Sequence, residues 1–294
     1  MSTPNHQNAL HPVTLPVGGL TIEGFSISGL ATWLTVPELG VMFDAGECPL
    51  SAVPIEHVFL THIHGDHARC LSRHWQLRRM MRMTSPATYY VPAHAVDALR
   101  QIVVIEAGME GVAEADVVFP NFQVLPEDGV TPFKKGLWVR AFPVKHRVPS
   151  QGFTIGRTVQ KLKPEFADLT GPEIGAKRKA GVQVTDSVET PVITFIGDCE
   201  GISLTTQAHI WNSKVVVIEC TYIEPEDTAN AKEHGHTHLD EIVEVLSRTV
   251  SSACEAVVLK HFSLKHDPKR IRELVTERIP AEWASRVHIL LPPA

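Results

Sequence analysis

The stretch Thr61-His62-Ile63-His64-Gly65-Asp66-His67 puts four side chains that can bind a metal, His62, His64, Asp66 and His67, within six residues. Imidazole nitrogen combined with carboxylate oxygen is the donor set that suits zinc or manganese. The run follows a compact apolar segment, 57–61, that reads as a strand. His62 and His64 occupy alternate positions and can point the same way, while the loop beyond brings Asp66 and His67 round. A solvated histidine-rich loop is the bland alternative, but a cluster this dense at a strand end is the usual mark of a metal site.

Three further donors stand just after apolar, strand-like segments: His146 after 137–142, Asp198 after 192–196 and His261 after 256–260. Taken singly, each is more often an ordinary loop or turn residue. Strand ends gathered at one rim would instead converge on the first cluster. Seven donors are too many for one tetrahedral ion and suit a pair roughly 3.5–4 Å apart, bridged by a carboxylate, with open positions for water and substrate. Asp198 is the expected bridge, and the chemistry is hydrolysis.

The elements that must hold these residues alternate between strand and helix. Segments 20–28, 32–36 and 41–44 form an opening meander; further strands are expected at 88–91, 137–142, 192–196, 215–220, 256–260 and 287–291. Helical spacing is expected at 68–83, through Leu71, Trp75 and Met80, and at 93–104, 239–250 and 268–277. In the third of these, Leu239, Ile242, Val243, Leu246 and Val250 share one face. Such a mixture gives an α+β fold with sheets covered by helices.

With 294 residues, 44% of them hydrophobic, the chain can bury a large core, and a single domain spanning 1–294 is expected, with a loose tail at 1–12 and a basic surface insertion at 161–184. A net charge of −6 excludes a surface coated with nucleic acid by bulk positive charge. No apolar stretch approaches a membrane span and no signal-peptide layout is present, so a soluble cytoplasmic protein is expected. Cys48, Cys70, Cys199, Cys220 and Cys254 lack paired spacing and read as reduced thiols.

The run His62-Ile63-His64-Gly65-Asp66-His67, with His146, Asp198 and His261, resembles the HxHxDH signature of the metallo-β-lactamase superfamily. His146-Arg147-Val148-Pro149-Ser150-Gln151-Gly152-Phe153, Glu219-Cys220-Thr221-Tyr222, Gly235-His236-Thr237 and His261-Phe262-Ser263 further resemble ribonuclease Z, the 3′ tRNA-processing endonuclease. Leu169-Thr170-Gly171-Pro172-Glu173-Ile174 and Gly235-His236-Thr237-His238-Leu239-Asp240-Glu241-Ile242 are most similar to its short, plant-type form.

The resemblance implies a four-layer αββα sandwich with two divalent ions, zinc or manganese, at its edge. It implies that His62, His64 and His146 hold one ion, that Asp66, His67 and His261 hold the other, and that Asp198 bridges. It implies Asp66, Glu219 and His236 as catalytic residues, precursor tRNA as substrate and a homodimer. Asp66 would orient the attacking water or take its proton, and His236, steadied by Glu219, would protonate the departing ribose oxygen. Thr237 is expected to cap the helix that follows.

Two rival readings stand beside this one: a hydrolase of the same fold acting on a small phosphodiester, lactone or thioester, and a non-catalytic RNA-binding protein. Lys161, Lys163, Lys177, Arg178 and Lys179 make the 161–184 insertion a candidate for a reduced tRNA-binding arm, against the alternative of a solvated charged face. Arg69, Arg73, Arg78, Arg79 and Arg82 are candidates for guiding an RNA backbone, against the alternative of an ordinary polar helix face. Ala68-Arg69, Cys199 and Lys265-His266 depart from the usual ribonuclease Z pattern.

Overall fold

Side chains alternate across a strand, so an all-apolar strand must be covered on both faces. Val215–Glu219 shows how this chain does so: Val215 and Val217 join a layer containing Phe43, Phe59, Phe153 and Phe195, whereas Val216 and Ile218 pack with Leu239, Ile242, Leu246, Ile271 and Leu274. The computed structural model describes residues 11–127, 129–249 and 252–292, and two mixed sheets lie face to face within it with helices outside. Residues 1–10, where most of the expected tail falls, and Val250 lie outside the described residues.

The first sheet runs in order through β1 (Val13–Val17), β2 (Leu20–Ser28), β3 (Ala31–Val36), β4 (Val41–Phe43), β5 (His57–Phe59), β6 (Thr88–Tyr90) and β7 (Asn121–Gln123). Its first half is antiparallel and its second half parallel. The chain then forms β8 (Val130–Lys134), β9 (Leu137–Val144), β10 (Ser150–Leu162), β11 (Thr185–Ile196), β12 (Val215–Glu219), β13 (Ala256–Lys260), β14 (Phe262–Ser263) and β15 (Val287–Ile289). β14 pairs with β2, and the others form the second sheet in the order β15-β13-β12-β11-β10-β9-β8. Phe43 of one sheet stacks on Phe195 of the other with ring centroids 4.6 Å apart. Such a pair stabilises by about 0.5–1.5 kcal/mol beyond its buried area.

The helices are α1 (Gly65–Ala68), α2 (Leu71–Met80), α3 (Val96–Met109), α4 (Gly171–Lys179), α5 (Ser203–Thr206), α6 (Thr228–His234), α7 (Leu239–Arg248) and α8 (Pro268–Arg278). Leu71 and Leu99, from α2 and α3, pack with Val58 and Tyr89 of the first sheet; α7 and α8 cover the second. The expected helix over 68–83 is in fact two, broken at Arg69 and Cys70, and Met80 is exposed rather than core-facing. The face of α2 turned inward carries His74 and Arg78 instead. Arg78 is buried and donates to the carbonyls of Val53, Ile55 and Ser85, so it ties together the loops before and after α2 and does not face RNA.

Residues 161–184 sit at the tip of a two-stranded ribbon. β9 pairs with β10 only as far as Arg157, while β10 and β11 continue together to Leu162 and Thr185. The outer half of the ribbon is mostly exposed, which is why β11 begins seven residues before the apolar segment that marks it in sequence. α4 closes the tip, its N-terminus fixed by a capping box between Thr170 and Glu173.

Candidate metal centre

β9, β11, β12 and β13 all run in the same direction, so the segments that follow them emerge at one edge of the second sheet, opposite the loop after β5. That edge gathers His146, Asp198, Glu219 and His261 around His62, His64, Asp66 and His67. Close packing at strand ends requires two glycines. A Cβ on Gly197 would lie 2.7 Å from Thr61 Cβ, and one on Gly46 would lie 2.0 Å from the Asp66 carbonyl oxygen. His261 adopts a left-handed backbone, φ 65°, as the chain turns out of β13 into β14.

The seven expected donors form two adjoining groups. In one, His64 Nδ1 lies 3.1 Å from His62 Nε2 and 3.4 Å from His146 Nε2. In the other, His67 Nε2 lies 3.2 Å from His261 Nε2, and Asp66 Oδ2 is 3.7 and 3.4 Å from these two nitrogens. Asp198 Oδ2 stands between the groups, 3.3 Å from both His67 Nε2 and His261 Nε2 and 3.9 Å from His62 Nε2.

A second set of groups orients the rings. His67 Nδ1 donates to Asp44 Oδ2 at 2.8 Å and His146 Nδ1 donates to the Gly235 carbonyl at 2.7 Å, which turns each Nε2 inward. Thr61 Oγ1 is 3.0 Å from His62 Nδ1, and Thr221 Oγ1 is 3.0 Å from His261 Nδ1. Asp44 also accepts from the Thr61 backbone and hydroxyl, which ties the ends of β4 and β5 together. Sequence reasoning missed Asp44; the available signal was an aspartate closing an apolar strand just before Ala45-Gly46.

Divalent ions fit this constellation. Burial first, and then neighbouring rings, lower the pKa of His62 and His64, and burial lowers that of His261, so these rings are neutral as metal ligands must be. Burial also opposes charge on His67, yet Asp198 and Asp44 together hold it up at about 10. Protein charges alone therefore leave the pocket calling for positive charge. Buried Asp198 Oδ1 has no hydrogen-bond partner among the described residues.

Glu219 and His236 are also brought together. Glu219 is fully buried, accepting from the Cys199 and Thr221 amides and the Thr221 hydroxyl, and receives His236 Nδ1–H at 2.8 Å. Burial works against charge on His236, but Glu219 outweighs it and raises the pKa to about 9. The ring is 3.9 Å from Asp198 Oδ2 and faces His146 and His261. The expected cap by Thr237 is corrected: α7 starts at Leu239 as expected, but its cap is His238, whose Nδ1 accepts from the Asp240 amide, and Thr237 Oγ1 instead donates to the Cys199 carbonyl. Cys48, Cys70, Cys199 and Cys220 are free thiols; burial pushes those of Cys199 and Cys220 up, so neither is poised as a nucleophile.

A family model described as a beta-lactamase superfamily domain matches residues 41–262. Over 279 residues the chain is 30% identical to tRNase Z TRZ1 of Arabidopsis thaliana, covering 94% of this chain and 96% of the relative. It is 33% identical over 258 residues to the chloroplastic tRNase Z TRZ2 of the same plant, covering 86% of this chain and 70% of that one. The structure aligns with the short form of human tRNase Z at a TM-score of 0.57 and 18% identity, over 92% of this chain and 97% of that one.

Proposed function

The chain belongs to the ribonuclease Z family of the metallo-β-lactamase superfamily, a group of metal-dependent hydrolases, and on that premise we propose that it removes 3′ trailers from precursor tRNA at the centre described above. The observation that carries this reading is the pairing of Glu219 with His236 beside a His/Asp centre suited to two ions. A hydrolase of lactams or thioesters has less need of a part-exposed proton donor backed by a buried carboxylate.

His62, His64 and His146 would hold one ion, Asp66, His67 and His261 the second, and Asp198 Oδ2 would lie between them. Zinc fits the nitrogen-rich donor set best, with manganese the other candidate. When bound, the ion pair supplies Lewis acidity to the scissile phosphate and acidifies water enough to give a nucleophile near neutral pH. Asp66, held by the Gly29 amide at 2.8 Å, has its pKa lowered: burial opposes this, but His261 and His67 prevail. It is ionised and can orient the attacking water or accept its proton. Glu219 keeps His236 protonated at neutral pH and fixes Nδ1, so Nε2–H is the proton given to the departing ribose 3′-oxygen.

The ribbon bearing Lys161, Lys163, Lys177, Arg178 and Lys179 is the candidate contact for the tRNA body. Arg178 and Lys179 are exposed near the C-terminus of α4, whereas Lys163 pairs with Asp186 at 3.8 Å and Lys177 lies over the Phe166 ring. A homodimer in the cytoplasm is the working arrangement; among the described residues no helix is long and apolar enough to cross a membrane. Comparing kcat/KM for a trailer-bearing precursor tRNA with that for a small chromogenic phosphodiester tests the substrate. The proposal expects a strong preference for the precursor. Comparable or reversed efficiencies would favour a small-molecule phosphodiesterase.

A further inference from the structure

Ala256 and Val258 of β13 face the apolar layer between the sheets, and the two-residue period of the strand puts Lys260 on the same side. Its side chain is fully buried, with Nζ 4.8 Å from the centre of the Phe195 ring and no hydrogen-bond partner among the described residues. The carboxylate within ion-pair distance is Asp198, whose Oδ1 lies 3.8 Å away. That oxygen also lacks a hydrogen bond, while Oδ2 of the same carboxylate faces His67 and His261. Two buried atoms of opposite charge, neither hydrogen-bonded among the described residues, thus meet behind the metal centre.

A buried ammonium with no compensation is strongly unfavourable, so its position here needs the carboxylate. Buried beside the Phe195 ring, the pair is screened far less than it would be in water. We propose that Lys260 is a positioning residue, the built-in counter-ion of Asp198, which holds Oδ1 so that Oδ2 faces the ligand rings and competes with metal ions for the carboxylate's charge. The inference rests on Asp198 being a metal ligand. It has a directional consequence: a fixed cation here stabilises the metal-free protein and weakens its hold on divalent ions relative to a neutral side chain of the same length.

The test uses the full chain and its Lys260→Met and Lys260→Arg variants, stripped with a chelator and titrated with zinc against a chromophoric competitor, with thermal midpoints recorded throughout. Lys260→Met should have a lower metal-free midpoint, a larger zinc-induced rise and about tenfold or more tighter zinc binding, each tenfold corresponding to about 1.4 kcal/mol. Lys260→Arg, which keeps the charge, should bind zinc as the wild type does. If Lys260→Met folds only with zinc, release to excess chelator is measured instead; release about tenfold slower supports the proposal, and equal or faster release overturns it. Unchanged affinity in folded Lys260→Met, or a gain shared by Lys260→Arg, would overturn it as well. A wild-type protein that binds no zinc would refute the metal reading itself, and this inference with it.

Discussion

Asp44→Asn replaces one oxygen of a fully buried carboxylate whose partners are all fixed. Oδ2 receives His67 Nδ1–H at 2.8 Å, and Oδ1 receives the Thr61 amide at 2.8 Å and its hydroxyl at 2.9 Å. If the new amide nitrogen faces His67, the ring must give up its Nδ1 proton and carry it on Nε2, the atom offered to the metal. If it faces Thr61, two buried donors confront one another, at a cost of about 1–3 kcal/mol. Either arrangement also removes the negative charge behind a ligand ring. Loss of such a supporting group lowers metal affinity by roughly 10–100-fold, or about 1.4–2.7 kcal/mol. Zinc affinity would be measured by competition with a chromophoric chelator, with circular dichroism as the check on folding. A folded Asp44→Asn protein that binds both ions with wild-type affinity would refute the argument that Asp44 sets the His67 tautomer.

His236→Ala should retain its metal, because this ring is not among the assigned ligands, yet lose on the order of 10²–10⁴-fold in kcat, the usual contribution of a general acid. Metal analysis alongside single-turnover cleavage separates the two effects, and loss of the ions would reassign His236 as a ligand. His74 gives a pH prediction away from the site: burial lowers its pKa from 6.5 to about 4, its bonds to the Ala52 carbonyl and Tyr89 hydroxyl notwithstanding. The unfolded chain therefore takes up the proton first, so the stability contributed is complete above about pH 6.5 and drains away as pH falls toward 4. Between pH 7 and 5 this amounts to on the order of 2 kcal/mol. Urea unfolding of His74→Gln at both pH values should show a shallower decline than the wild type; parallel declines would contradict it. Arg178→Ala with Lys179→Ala should raise KM for precursor tRNA, leave hydrolysis of a small phosphodiester unchanged, and reduce the salt slope by about one per lost phosphate contact. An unaltered salt slope would assign these residues to a solvated face.

The first metal cluster was legible because its donors are contiguous in sequence and follow an apolar strand, and the distant donors were legible because each stands just beyond a strand of the same kind. Their supporting residues were not. Asp44 and Thr221 reach the ligand rings across 23 and 40 residues of chain, through contacts made only on folding, and Lys260 reads in sequence as the polar end of a strand. Apolar periodicity located β9, β12, β13 and the inner half of β11 but missed β10 and the outer half of β11, whose exposed residues are held by their mutual ladder rather than by burial. It also misjudged α2, where polar His74 and Arg78 face inward to satisfy backbone carbonyls and Met80 faces solvent. The helix cap fell one residue from its expected place because histidine, rarely a cap, has a ring nitrogen that can accept the amide proton.

The most direct test of the whole account is to incubate the zinc- or manganese-loaded protein with a precursor tRNA carrying a 3′ trailer and to map both product ends, with Asp66→Ala as the control. The account predicts a cut just after the discriminator base, leaving a 3′-hydroxyl on the tRNA and a 5′-phosphate on the trailer, and no cut by Asp66→Ala. An intact precursor, cleavage elsewhere, or cleavage that survives in Asp66→Ala would contradict it.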